Sequence, residues 1–286
     1  MDLSIIIVNF ETYELTKNTI KSILENQCNY TYEILLVDNA SQDNSMEKLE
    51  NTFKENPNIQ FIKSKQNGGF AYGNNLAIKK AKSKYTLLLN SDTILKTNTL
   101  NNCLDYIESN DKIGALGCKV SLPNGKLDKA CKRSFPNPVN SFYRLFHIPT
   151  KSEKNNYNLD DLDDNGIYEI DCLVGAFMLI RNQTIQDVGL LDEDYFMYGE
   201  DIDYCYRIKN KGWKIIYYGK SEIIHYKGAS SKKQSYKLIY EFHKSMYIFY
   251  KKHYASIYNI FLNIIVYIGI FIRLLIKLFL NIFKKK

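Results

Sequence analysis

Residues 84–92 read KYTLLLNSD, a short apolar run that ends on two polar residues and a carboxylate. This pattern predicts a buried strand with Asp92 just beyond its carboxyl end. Two similar runs precede it, Leu3–Asn9 (LSIIIVN) and Glu33–Asp38 (EILLVD), and both end on a polar side chain. Near-continuous apolar strands of this kind are typical of a mostly parallel sheet with helices on both faces.

Segments with helical spacing alternate with these strands. The two clearest helical faces carry Leu15, Thr19, Ile20, Ile23 and Leu24, and then Leu100, Cys103, Leu104 and Ile107. Further strands are predicted at 59–63, 114–120, 172–181, 213–218 and 221–226, and further helices at 182–188, 200–211 and from Tyr236 onward. The sequence therefore predicts an α/β fold with a mostly parallel central sheet flanked by helices. Ligands of such sheets bind beyond the carboxyl ends of the strands.

Composition and charge exclude some classes of protein. The 286 residues are 45% hydrophobic and 24% charged, which is ordinary for a globular chain and argues against general disorder. The net charge is +7, and the chain ends in Lys284–Lys286, a placement that favours an anionic membrane surface over nucleic acid. Six cysteines form no CxxC pair, and the first residues predict no secretory signal. These features predict reduced thiols and a catalytic part that stays in the cytosol.

Two polar segments follow predicted strands. Asp38 opens the turn DNASQDNS, where its carboxylate can bind a ribose or a base nitrogen, or can simply cap the turn. Residues 67–75 read NGGFAYGNN, and their paired glycines permit close approach of a phosphate to the backbone. A plain tight loop is the alternative. Neither GxxxxGK[ST] nor GxGxxG is present, so the segment indicates neither a P-loop ATPase nor a dinucleotide enzyme.

Three further segments carry candidate chemistry. Asp92 is a candidate ligand for Mg²⁺ or Mn²⁺, or else a helix cap. Glu200, Asp201 and Asp203 begin a helix; the helix dipole favours carboxylates there, and one of them can serve as a general base. His225 ends a strand and precedes YKGAS, where it can ligate a metal, contact a diphosphate or be structural.

The order of the motifs SIIIVNF, VDNASQDNS, NGGFAYGNN, LLLNSD, GAFMLIR, DEDYFMYGEDIDYCYRI and IIHYKGAS resembles that of the family 2 glycosyltransferases. The similarity is greatest to the rhamnosyltransferase-like branch that builds bacterial surface polysaccharides, and it covers residues 2–231. The resemblance implies a GT-A fold, an inverting mechanism and a divalent cation, Mg²⁺ or Mn²⁺. It also implies a nucleotide-diphosphate sugar as donor, with dTDP-L-rhamnose favoured and a UDP-hexose or UDP-N-acetylhexosamine as alternatives.

The resemblance further implies roles for single residues. Asp201 matches the catalytic base, Asp92 closes the DxD-type metal motif, and His225 lies near the metal and the diphosphate. Glu200 and Asp203 are expected to orient the acceptor or tune Asp201, and Arg207 to balance their charge. The expected donor-binding residues are Asn9, Asp38, Asn67, Gly68, Gly69, Asn74, Asn90 and Ser91. The metal motif here is Asn-Ser-Asp, so a single carboxylate stands where the family name suggests two.

Four regions are predicted along the chain. Residues 1–120 form the nucleotide-sugar-binding half, and residues 121–168 form a proline-containing connection with an apolar island at Phe142–Ile148. Residues 169–255 form the acceptor-binding and catalytic half, and residues 256–286 form a membrane-associated helix.

The last helix is predicted to be amphipathic. Its polar residues recur on one stripe, made of Asn259, Asn263, Tyr267, Arg273, Lys277, Asn281 and Lys284. This pattern favours a helix lying in the membrane interface with its basic stripe toward anionic headgroups; a spanning helix and a helix packed on the core are the alternatives. Such an anchor suits a lipid-linked glycan as acceptor, at the cytoplasmic face of the plasma membrane.

Two other functions compete with that of a transferase. A sugar nucleotidyltransferase is expected to carry a Gly-rich loop with Arg or Lys after its first strand, but residues 9–12 read NFET. A non-catalytic nucleotide-sugar-binding membrane protein is disfavoured by the intact Asp92, Asp201 and His225. No partner role for nucleic acid is predicted.

Overall fold

The structure is a computed structural model and describes residues 1–145, 157–227 and 236–283. Its strands are β1 (Leu3–Asn9), β2 (Tyr32–Asp38), β3 (Ile59–Lys63), β4 (Tyr85–Asn90), β5 (Thr93–Leu95), β6 (Ile113–Ser121), β7 (Ile167–Glu169), β8 (Phe177–Arg181) and β9 (Lys214–His225). Its α-helices are α1 (Tyr13–Leu24), α2 (Ser45–Phe53), α3 (Gly69–Ile78), α4 (Thr99–Glu108), α5 (Pro138–Leu145), α6 (Asn182–Val188), α7 (Glu200–Asn210), α8 (Tyr236–His253) and α9 (Ile260–Phe283). The apolar island Phe142–Ile148, the YKGAS residues after Lys227 and the tail Lys284–Lys286 lie wholly or partly outside the described residues.

One mixed sheet runs through the described chain in the order β3-β2-β1-β4-β8-β6-β9-β5, with β7 paired to β9. The prediction of parallel strands holds for β3, β2, β1 and β4, which are joined by helical crossovers, and for β6 with β9. β8 is antiparallel to both of its neighbours, β4 and β6. It enters after the long connection that follows β6, so no helical crossover fixes its direction.

The core is formed by the strands of the first half and the inward faces of the helices. Ile5, Ile7, Leu36 and Leu88 have no exposed surface, as expected for strands covered on both sides. The predicted helical stripe on α4 is confirmed, since Leu100, Cys103, Leu104 and Ile107 are all buried. All six cysteines are free.

Three predicted strands differ from the observed ones. The strand predicted at 172–181 begins only at Phe177, because Cys172 instead pairs with Arg133 in an isolated bridge and the chain turns through Gly175. The two strands predicted at 213–218 and 221–226 form the single strand β9. The pairing of β6 with β9 shifts its register between Cys118 and Lys119, and this shift accommodates the residues between the two predicted strands.

The C-terminal helices pack against each other as an antiparallel pair, which we call the α8–α9 hairpin (residues 236–283). Tyr250 near the end of α8 donates to Asn263 near the start of α9 (2.7 Å), and Arg273 lies over the ring of Phe242 further back along α8. Asn263 and Arg273 of the polar stripe therefore contact α8, whereas Asn259 and Lys277 of the same stripe are exposed. That the stripe faces membrane headgroups stays a prediction.

Candidate active site

Asp38 lies at the end of β2, in a network of buried polar groups. Asn9 Nδ2 donates to Asp38 Oδ1 (3.0 Å), and the Asn9 oxygen accepts bonds from Thr12 (3.1 Å) and Thr16 (2.9 Å). Ser41 donates to the same carboxylate through its hydroxyl (2.6 Å) and its backbone N–H (3.1 Å). Asn9 has no exposed surface. Asn9 therefore holds Asp38 in place at the carboxyl ends of β1 and β2. That Asn9 also contacts the donor stays a prediction.

The glycine loop is tied to the end of β2 by amide groups. Asn39 Nδ2 donates to Asn67 Oδ1 (3.0 Å) and to the carbonyl of Gly69 (3.1 Å), and Asn67 Oδ1 also accepts from Gly69 N–H (3.1 Å). Gly68 precedes the first residue of α3. These bonds place the N-terminus of α3 beside the end of β2. That the segment binds a phosphate stays a prediction.

Gly69 has a structural requirement for glycine. Its φ is +85°, and a Cβ at this position would lie 1.8 Å from the carbonyl oxygen of Phe196. The next residue, Phe70, donates its N–H to that same carbonyl (3.0 Å). Asn74, one turn into α3, is buried and donates to the carbonyl of Phe70 (2.9 Å).

Asp92 and His225 face each other across the last strand pair. The Asn90-Ser91-Asp92 turn leads into β5, which is antiparallel to β9 with Thr93 opposite His225. Asp92 Oδ1 lies 3.1 Å from His225 Nε2, and Asn90 Nδ2 lies 3.3 Å from the same nitrogen. Both side chains of the pair are buried. Ser91 is buried as well, and its carbonyl accepts a bond from a threonine of α1.

The Asp92–His225 pair fits a divalent cation. Adjacent ligands of an octahedral ion with bonds of about 2.1 Å are about 3 Å apart, which is the spacing of these two donor atoms. A carboxylate oxygen and an imidazole nitrogen suit Mn²⁺ or Mg²⁺. Among the described residues no cluster of three or more His, Cys, Asp or Glu side chains forms a complete site. The remaining ligands would therefore have to come from a bound diphosphate or water.

The other ring nitrogen of His225, Nδ1, lies near a second carboxylate. Asp128 Oδ2 lies 3.7 Å from His225 Nδ1, and Lys227 donates to Asp128 at 2.9 Å. Burial alone would lower the pKa of His225, but Asp128 and Asp92 raise it to about 9. Burial alone would raise the pKa of Asp128, but His225 and Lys227 lower it.

Asp201 is buried in the first turn of α7 and is held by a buried arginine. Arg133 Nη2 donates to Asp201 Oδ2 (2.7 Å) and also to the carbonyl of Leu173. The N–H of Ile202 donates to Asp201 Oδ1 (2.8 Å). Each carboxylate oxygen keeps the capacity to accept a further bond, since an ionised carboxylate offers about four lone-pair sites.

The neighbouring carboxylates of α7 differ from Asp201. Burial and the adjacent charge of Asp201 raise the pKa of Glu200 to about 8. Asp203 accepts bonds from Arg207 Nε (2.8 Å) and pairs with His253 Nε2 (2.7 Å) at the end of α8. Burial alone would raise the pKa of Asp203, but its bonds with His253 and Arg207 lower it. Arg207 therefore contacts one of the carboxylates whose charge it was predicted to balance.

Backbone contacts bring these segments to one edge of the sheet. Asn90 N–H donates to the carbonyl of Ala176 (3.1 Å). A Cβ on the preceding Gly175 would lie 3.1 Å from the ring of Phe70 and 3.9 Å from Asp201 Cβ. The Asn90-Ser91-Asp92 turn, the glycine loop and the α7 carboxylates therefore lie around Gly175.

Sequence reasoning missed three residues of this region, namely Arg133, Asp128 and His253. Arg133 and Asp128 fall in residues 121–168, which the prolines and acidic residues indicated to be a connection. A single arginine or aspartate there gave no periodic signal. His253 lies at the end of an ordinary amphipathic helix, and only packing places it on Asp203.

The mixed sheet and its flanking helices form a GT-A fold. A mannosyltransferase from Pyrobaculum calidifontis, solved with GDP-Man and Mn²⁺, shares the fold with a TM-score of 0.61 at 15% identity over 87% of this chain and 63% of that one. The chain belongs to glycosyl transferase family 2, whose family model matches residues 4–189.

Relatives of the chain include rhamnosyltransferases, so the predicted similarity to that branch is confirmed. Rhamnosyltransferase WbbL of Escherichia coli K12 is 30% identical over 168 residues, which are 55% of this chain and 61% of that protein. An N-acetylglucosaminyl-diphospho-decaprenol L-rhamnosyltransferase of Mycobacterium tuberculosis is 24% identical over 230 residues, 76% of this chain and 73% of that protein. The aligned part thus spans under two thirds of the first relative's length.

Proposed function

We propose that this protein is an inverting, metal-dependent glycosyltransferase that moves L-rhamnose from dTDP-L-rhamnose onto a hydroxyl of a lipid-linked glycan. The observation that carries the proposal is the approach of Asp92 Oδ1 and His225 Nε2 to 3.1 Å, at the same sheet edge as the buried Asp201. A UDP-hexose or UDP-N-acetylhexosamine donor is the alternative. The names of the two rhamnosyltransferase relatives favour rhamnose.

The donor would lie along the ends of β1, β2 and β4. Asp38 would accept hydrogen bonds from the nucleoside, with Asn9 holding its carboxylate in place. The loop at Asn67, Gly68 and Gly69 and the start of α3, which carries Asn74, would face the phosphates, because helix N-termini favour anions. Asn90 and Ser91 would border the sugar diphosphate beside the cation. In this scheme residues 1–120 bind the donor and residues 169–255 bind the acceptor.

Asp92 and His225 would hold Mn²⁺ or Mg²⁺. When bound, the cation neutralises charge that develops on the departing nucleoside diphosphate. Asp128 lies on the far side of the His225 ring and would keep the imidazole oriented toward the cation.

Asp201 would act as the base. It takes the proton of the acceptor hydroxyl while the acceptor oxygen bonds to the anomeric carbon and the bond from that carbon to the diphosphate breaks. Glu200 is poorly suited to this role near pH 7, because its raised pKa of about 8 keeps it mostly protonated. Glu200 and Asp203 would instead shape the acceptor side, with Arg207 balancing the charge of Asp203.

Two observations support the proposed acceptor and location. The mycobacterial relative is named for a decaprenol-linked sugar acceptor. Among the described residues, α9 is the one helix that is long and apolar enough to cross a membrane. We therefore place the protein at the cytoplasmic face of the plasma membrane, working on a polyprenyl-linked glycan.

The test combines donor binding with transfer. Calorimetry with dTDP-L-rhamnose, a UDP-hexose and UDP-N-acetylglucosamine, each with Mn²⁺, should show the strongest binding for dTDP-L-rhamnose. Asp201→Asn should keep that affinity and lose transfer to a lipid-linked acceptor by about 10²–10⁴-fold, the usual contribution of a general base. Asp111→Asn, on an exposed loop, is the control. Substantial transfer by Asp201→Asn, or binding of no nucleotide sugar, would refute the proposal.

A further inference from the structure

The outward face of α9 is apolar along its whole length. Side chains at regular helical positions are half to three-quarters exposed, among them Phe261 (76%), Ile265 (66%), Ile268 (52%), Leu275 (50%) and Phe279 (60%). Soluble chains rarely leave so continuous an apolar surface open to water. Something must therefore cover this face.

The opposite face of α9 is fixed against α8. Asn263 accepts from Tyr250 and donates to the carbonyl of Ala255 (2.8 Å), and Tyr267 packs its ring on Tyr247 and Tyr250. These contacts run along much of the helix pair. They determine which side of α9 is presented outward.

The helix α8 is in turn fixed to the catalytic half. Phe249 packs on Tyr206 of α7, and His253 bonds Asp203 at 2.7 Å. Lys252 pairs with Asp194 (2.6 Å) in the segment before α7. One side of α8 therefore belongs to the catalytic domain and cannot enter hydrocarbon without breaking these ion pairs.

We propose that the α8–α9 hairpin lies flat on an anionic bilayer. The apolar face of α9 is inserted into the membrane interface, and α9 does not cross the bilayer. At 1.5 Å per residue the 24 residues of α9 measure about 36 Å, so length alone permits crossing. A crossing α9, packed as it is here, would carry α8 with its ion pairs into the bilayer. The catalytic domain on the other side of α8 excludes that orientation.

Charge on the hairpin complements an anionic surface. Residues 236–283 contain six Lys or Arg side chains and one acidic residue, Glu241. Lys252 is paired with Asp194 of the catalytic half, which leaves the other five cations to the hairpin. Cations beside an apolar face are typical of helices that bind anionic membrane interfaces. The bilayer is therefore a better occupant than a second copy of this chain, whose hairpin would bring like charge against like.

The first test is binding of the full-length protein to vesicles, without any sugar nucleotide. The protein should float with vesicles of phosphatidylcholine and phosphatidylglycerol and bind less to phosphatidylcholine alone. Ile268→Asp should weaken partitioning about tenfold or more, because a charge replaces an apolar group at the hydrocarbon boundary. Val139→Asp, which changes an equally exposed residue outside the hairpin (52%), should leave binding unchanged. Undiminished flotation of Ile268→Asp would overturn the proposal, as would a soluble dimer that ignores vesicles.

The second test determines orientation. A peptide tag is added after Lys286, and the protein is bound to inside-out membrane vesicles with its catalytic domain outward. Added protease should remove the tag together with the domain. A tag that stays protected while the domain is digested would show a crossing helix and refute the in-plane orientation. Because neither test measures transfer, a failure here is distinct from a failure of the proposed activity.

Discussion

Glu200 and Asp201 are adjacent on α7 but have different surroundings. Arg133 compensates the charge of Asp201 directly, with a contact of 2.7 Å. Glu200 is buried, and its Oε2 is among the buried oxygens with no hydrogen-bond partner. Because burial penalises the charged form of such a group, the raised pKa of about 8 keeps Glu200 mostly neutral at pH 7.

Glu200→Gln should change how stability depends on pH. The pKa of Glu200 is raised from 4.5 to about 8, so between these values the folded state binds a proton that the unfolded state releases. The contribution of Glu200 to the free energy of unfolding is therefore fully present below pH 4.5 and is lost as the pH rises toward 8, at no more than about 1.4 kcal/mol per pH unit. Urea unfolding between pH 5.5 and 8.5 should show this slope in the wild type and not in Glu200→Gln. The exposed Glu55→Gln is the control. If the free energies of unfolding of the wild type and of Glu200→Gln differed by the same amount at every pH, the expectation would be contradicted.

Arg133→Met should destabilise the protein by leaving Asp201 buried and uncompensated. Removing one partner of a buried ion pair costs about 3–5 kcal/mol, whereas removing both charges costs much less. The double variant Arg133→Met/Asp201→Asn should therefore unfold at higher urea than Arg133→Met alone. Additive losses in this double-mutant cycle would show that the two side chains do not interact.

At the scale of elements, the loop before α3 is fixed by one close approach. Gly69 and Gly125 both have positive φ, +85° and +77°, but only Gly69 faces another part of the chain, the Phe196 carbonyl. The two positions thus separate the cost of a strained backbone conformation from the cost of a steric collision.

Gly125→Ala should lose about 1–2 kcal/mol, the cost of a left-handed conformation for a residue with a Cβ. Gly69→Ala should lose more, because its Cβ would meet the Phe196 oxygen at 1.8 Å, and the loop would have to move from the edge of the sheet. Thermal unfolding and calorimetric binding of a nucleotide sugar measure both effects. Donor binding should fall in Gly69→Ala and persist in Gly125→Ala; equal behaviour of the two variants would remove the loop from the donor site.

At the scale of the whole molecule, the candidate metal pair joins the two halves of the chain. Asp92 follows β4 in the first half and His225 ends β9 in the second, with β5 as the strand between them. A ligand that binds both side chains therefore stabilises the packing of the halves as well as the local turn.

A nucleoside diphosphate with Mn²⁺ should raise the melting temperature on the order of 5 °C when its concentration is 100 times the Kd, since such binding contributes about 2.7 kcal/mol. Asp92→Asn should abolish most of the increase that depends on Mn²⁺, while Asp111→Asn should keep it. Scanning calorimetry with and without a chelator measures the difference. An increase in Asp92→Asn equal to that of the wild type would place the cation elsewhere.

The sequence by itself determined the strand–helix alternation, the polar residues at the strand ends and the order of the motifs that mark family 2. These features are local, because apolar runs and helical stripes depend on residues within a few positions of one another. Asp38, Asp92, Asp201 and His225 lie at the strand and helix ends where the pattern predicts them.

Only the tertiary structure decided which groups meet. It put Arg133 on Asp201 and Asp128 beside His225, and it made Asn9 a support for Asp38. Each of these contacts joins residues far apart in the chain, and no periodicity along the sequence records a partner that folding alone brings near. The sequence could show an amphipathic helix, but which way its two faces point depends on what is packed beside it.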